Sequence, residues 1–108
     1  LLVSSTSISQ SIQPSKKESF DIDKNTQSEA DKLKELLSLS EEQYANVHEI
    51  IHGILIKNDQ VSSMKLIEED KKALLKTNKA AKIHMIMKIL IGKQKAIYET
   101  YTESLIEF

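Results

Sequence analysis

Apolar side chains recur along most of this chain every three or four residues, the period of a helix that buries one face. The first stripe is Ala30, Leu33, Leu36 and Leu37, which Thr26 or Ser28 can cap. The next is Tyr44, Val47, Ile51, Ile54 and Leu55, with a turn expected at Asn58-Asp59. A longer helix is expected from about Ser62 to Leu90, striped by Met64, Ile67, Leu74, Leu75, Ala81, Met85, Ile86 and Ile89 and interrupted at Asn78. From Ile83 to Ile91 this helix is apolar on most sides, more than one neighbouring helix can cover. Gly92 breaks the pattern, and a last helix carries Ile97, Tyr98, Tyr101, Leu105 and Phe108. The pattern predicts an all-α fold of four amphipathic helices around a long helical hairpin.

The second helix has the sharpest start. Ser40 is followed three residues later by Gln43, a capping box in which the hydroxyl accepts from the N3 amide and the glutamine reaches back. Glu41 and Glu42 lie where the helix dipole favours negative charge, and Leu39 opposite Tyr44 supplies a hydrophobic staple. Upstream, residues 10–25 have low hydrophobicity and no period, and read as a disordered linker. Residues 1–9, Leu1-Leu2-Val3 followed by small hydroxyl residues, read as the remnant of a signal peptide or a disordered tail. A cleavage point near Ser9 or Gln10 and an exported protein are expected, leaving residues 26–108 as one helical domain.

Composition narrows the function classes. One proline and two glycines are too few for a many-turned β-sandwich or a glycine-rich nucleotide loop. The absence of cysteine removes disulfides and thiolate chemistry. All fifteen cationic residues are lysines, and the net charge is −1, so the bidentate arginine contacts of a specific nucleic-acid reader are missing. The densest apolar run is too short for a membrane span. A core from 108 residues is modest, and a second subunit would enlarge it.

Leu39-Ser40-Glu41-Glu42-Gln43 matches a Leu-Thr/Ser-x-x-Gln signature, and Leu90-Ile91-Gly92-Lys93-Gln94, fifty-one residues later, resembles a degenerate second copy. In order and separation the two motifs resemble those of the Spy/CpxP-like family of small periplasmic stress proteins, over about residues 30–108. The second copy departs from the pattern: Ile91 stands where the hydroxyl cap belongs, and Gly92 can stand in for it. The resemblance implies a curved, antiparallel helical homodimer. It also implies ATP-independent binding of unfolded proteins or control of envelope stress sensing, with zinc binding in some relatives.

Candidate chemistry lies mainly in charge. From Lys71 to Tyr98 there are eight lysines and no acidic residue, while the remainder carries seven lysines against sixteen acidic residues. Lys72, Lys76 and Lys79 share one side of the long helix, continued by Ile83, Met87 and Leu90. Lysines attract acidic clients at a distance, and methionine adapts its shape, so this set is the expected client-binding surface. The basic segment can equally pair with acidic ones (Glu41, Glu42, Glu49, Glu68, Glu69, Asp70) within a chain or across a dimer. His48 and His52, one turn apart, make half of a zinc site. The four aromatics Tyr44, Tyr98, Tyr101 and Phe108 fall on helical stripes and read as core or interface, whereas Phe20 falls in the linker. No grouping for catalysis is evident, and no enzyme is expected. The expected function is an exported chaperone-like or stress-response accessory protein. The alternatives are a metal-binding or metal-sensing protein and a helical module with one dedicated partner.

Overall fold

The computed structural model describes residues 16–106, with side chains from 21 to 104. Four helices follow in order: α1 (Lys16–Leu37), α2 (Glu41–Ser63), α3 (Glu68–Ile89) and α4 (Lys93–Ile106). The fold is all-α. The signal-peptide reading of residues 1–9 lies outside the described residues.

α1 corrects the linker reading, because it begins at Lys16 and runs through most of residues 10–25. Its buried line is Ile22, Thr26, Ala30, Leu33 and Leu37, at spacings of four, four, three and four. One apolar side chain per turn suffices there, since Ile22 and Asn25 face Leu55, Asn58 and Ser62 of α2. α1 and α2 thus pack antiparallel. α1 stops at Ser38, whose φ of 53° is left-handed, and the Leu39 amide bonds back to the Lys34 carbonyl at 3.2 Å. Glycine usually takes this position, and serine adopts it at a steric cost.

The capping box of α2 forms as expected, with the Gln43 amide donating to Ser40 Oγ at 3.1 Å and the Ser40 amide donating to Gln43 Oε1 at 3.0 Å. The turn expected at Asn58-Asp59 is absent, and α2 continues to Ser63. Val61 prolongs the buried line, and Asn58 accepts from Asn78 of α3 at 2.9 Å, so its polarity is satisfied inside the helix pair.

α3 is shorter than the expected 62–90 helix, and its stripe is corrected too. Met64 and Ile67 fall in the exposed turn before it, and of the remaining stripe only Ile86 is buried. The inner line of α3 is instead Lys71, Leu75, Asn78, Lys82 and Ile86. Lys71 Nζ donates to the Ser62 carbonyl at 3.1 Å, Asn78 meets Asn58, and Lys82 bonds Glu29 of α1 at 2.8 Å. In α4 the buried positions are Tyr98 and Thr102, with Tyr101 half-buried and Ile97 exposed. Leu105 and Phe108 have side chains outside the described set.

One core cluster joins all four helices: Ala30, Leu33 and Leu37, then Leu39, Val47 and Ile51, then Ile86, Leu90 and Tyr98. Beside it the two motifs meet. Gln43 Nε2 donates to Gln94 Oε1 at 2.8 Å, and Gln94 Nε2 donates to Gln43 Oε1 at 3.1 Å. Gln43 Nε2 also donates to the Ile89 carbonyl, and Gln94 Nε2 to the Leu37 carbonyl. Gln94 Oε1 accepts from the Ile91 amide at 3.1 Å, as Gln43 does from Ser40, so the second motif keeps the glutamine half of the capping box without the hydroxyl. Each glutamine thereby holds its own helix start and the end of a helix in the other half of the chain.

Gln94→Ala leaves several part-buried groups unpaired and is expected to cost about 2–3 kcal/mol in urea denaturation. Combined with Gln43→Ala it should cost less than the two single losses together, because the pair is shared. Thr26 Oγ1 is buried without a hydrogen-bond partner among the described residues, so Thr26→Val should raise stability by about 1 kcal/mol in the same measurement.

Candidate interaction surface

Because the inner line of α3 is largely polar, its apolar side chains are displaced to either side. On one side Lys72, Lys76, Lys79, Ile83 and Met87 follow one another at spacings of four, three, four and four. Lys76, Lys79, Ala80, Ile83, His84 and Met87 line an open groove of about 490 Å³. Ile83 and Met87 are half-buried: their inner edges pack on the core and their outer edges face the groove. Lys76 stands exposed at the rim and Lys72 lies exposed one turn further along. Lys79 is half-buried and engaged within the chain. The groove can therefore present an apolar floor and a cationic rim to a ligand.

Leu90 does not belong to this surface. It is 1% exposed, sits at the α3–α4 turn and packs in the core, as Leu39 does for the first motif. The physical reason is the helix end at Ile89, which turns the next residue inward. Ala80, one turn from Lys76, lines the groove although the sequence pattern did not single it out.

The basic segment is partly paired within the chain, through Lys82 and Glu29 rather than through the acidic residues expected. Both partners are largely shielded from solvent, and they tie α3 to α1.

His48 and His52 occupy one edge of α2, as expected. His52 Nε2 lies 3.2 Å from Asp23 Oδ1 of α1, and His48 lies against the Tyr44 ring at 6.1 Å between centroids. Asp23, His48, Glu49 and His52 line one open crease. Among the described residues, no three His, Cys, Asp or Glu side chains are placed to hold a metal ion.

Next to that edge, Tyr44 ties α2 to α1. Its hydroxyl donates to Asp31 Oδ1 at 2.7 Å, Gln27 Nε2 donates to both, and Lys34 Nζ lies 4.8 Å from the ring centroid. The hydrogen bond from Tyr44 holds the Asp31 carboxyl below its usual pKa, and the same bond raises that of Tyr44. Asp31 is exposed and Tyr44 half-buried against the core, and the arrangement is a surface brace.

Neither a protein-family model, nor a curated protein, nor a solved structure matches the chain. No described helix is long and apolar enough to cross a membrane.

Burial pushes the Tyr98 hydroxyl far above its ordinary pKa of 10.0, with the Glu29 charge and Tyr101 adding to the shift. A raised tyrosine pKa means the folded state favours the neutral form. That contribution is complete below pH 10 and is lost as pH climbs above it. Tyr98→Phe should therefore move the alkaline limb of the unfolding curve to higher pH, read by circular dichroism, with the other titrating tyrosines unchanged.

Proposed function

We propose that this chain is an ATP-independent, chaperone-like or stress-response accessory protein of the Spy/CpxP-like kind, exported to the periplasm. It holds unfolded or acidic protein segments and performs no chemistry on them. One observation carries the reading: the groove of α3 joins an apolar floor of Ala80, Ile83 and Met87 to a rim of Lys76 and Lys79. The charge pattern supports it, since no acidic residue interrupts the run from Lys71 to Tyr98. Long-range attraction to lysines raises the encounter rate with acidic chains, and contact with Ile83 and Met87 then adds a short-range apolar term. Flexible methionine and lysine side chains suit varied partners better than one fixed shape. The two motifs on which the resemblance rests join through their glutamines at the base of the hairpin.

The test is suppression of aggregation of a reduced, unfolding client, followed by light scattering. Wild type at several-fold excess should protect. Lys72→Glu combined with Lys76→Glu should lose at least half of that protection while keeping the same thermal midpoint, because exposed lysines contribute little to stability. If wild type protects nothing, the capture role is wrong. If it binds one protein tightly and ignores generic unfolded chains, the dedicated-partner reading replaces it.

A further inference from the structure

The groove of α3 has a charged end and an apolar end. Lys76, Ala80, Ile83 and Met87 follow one another at spacings of four, three and four, so they lie in a line along the helix, with Lys79 and His84 to either side. The line sinks at Ala80, whose exposed side chain is a single methyl between the longer Lys76 and His84, one turn away in each direction. Beyond it Ile83 and Met87 turn their outer edges to the hollow, and among the described residues the lining holds no carboxylate. Lys79 is engaged within the chain, so Lys76 is the cation that meets a ligand at the charged end.

The ligand that matches this order has one negative head and an uninterrupted apolar tail. A peptide laid over Ala80, Ile83 and Met87 brings backbone amides against an apolar floor, which costs free energy wherever they go unpaired. An acyl chain brings none. The eleven positions from Lys76 to Met87 span roughly 16 Å of helix, and the hollow of about 490 Å³ has the size of a small-molecule site. The methylenes of Lys76 can lie along the first carbons of the tail while the ammonium stays in water beside the head.

We propose that the groove binds a free fatty-acid anion, its carboxylate at Lys76 and its tail running over Ala80 toward Met87. The site needs no unfolded client, so this goes beyond the capture reading, and the two can fail separately.

Calorimetric titration of the full chain with dodecanoate, kept below the concentration at which it forms micelles, tests it. Wild type should bind one equivalent. Octanoate should bind more than about tenfold more weakly, because each methylene lost removes apolar contact. Dodecyltrimethylammonium has a comparable tail and the opposite charge, and should bind about tenfold more weakly. Lys76→Gln should weaken dodecanoate binding about fivefold. Ala80→Trp fills the hollow from an exposed helical position and should abolish binding with the helical circular dichroism signal intact. With methyl-labelled methionine, dodecanoate should shift the Met87 signal and leave Met64 and Met85 in place. A wild type that ignores dodecanoate overturns the inference, even where it protects an unfolding client. Binding that survives Ala80→Trp, or that is equal for the cationic amphiphile, overturns it as well.

Discussion

The inner line of α3 is where the architecture is decided. A helix that buried Leu74 and Met85 against its neighbours would hide its grease and show its charges. Here Lys71, Asn78 and Lys82 take inward positions, each satisfied by a named partner: the Ser62 carbonyl, Asn58 and Glu29. The polar groups lose less by burial when paired in this way, but they occupy the space apolar side chains would have filled. The apolar side chains therefore sit on both flanks, half in the core and half in solvent. Ile86 alone of the helix is buried outright.

Such a helix needs a firm frame, and the rest of the chain supplies one. α1 and α2 form an antiparallel pair with a continuous buried line on each, and Lys82–Glu29 links α3 to it. At the opposite end the Gln43–Gln94 pair fixes the positions of both helix starts with neutral groups. Neutral amides hold their bonds at any pH at which the fold persists, unlike the surface brace of Asp31 and Tyr44. Rigid scaffold and exposed flank are consequently divided between different parts of the chain.

Local signals were legible in the sequence where one residue decides one bond. Ser40 and Gln43 announce the start of α2, and Gln94 marks the matching position before α4 even without a hydroxyl at Ile91. Lys72, Lys76, Lys79, Ile83 and Met87 were found because helical spacing alone places them on one side. Tertiary pairing was not legible. Asn58 looks like a helix breaker until Asn78 stands opposite it, and Ile22 looks isolated until Leu55 faces it. Leu90 continues the helical spacing of Ile83 and Met87, yet the helix ends one residue earlier and sends it into the core. Periodicity also chose the wrong inner line for α3, since it assumes that the most apolar side faces inward.

Three methionines make the central claim directly measurable: Met64 in the turn, Met85 on one flank of α3 and Met87 on the other. With methyl-labelled methionine in dilute protein, a soluble paramagnetic agent should enhance relaxation at Met85 and Met87 together, approaching the enhancement at Met64. Strong protection of both α3 methyls under those conditions would mean that the chain encloses this helix by itself, contradicting the open-flank account.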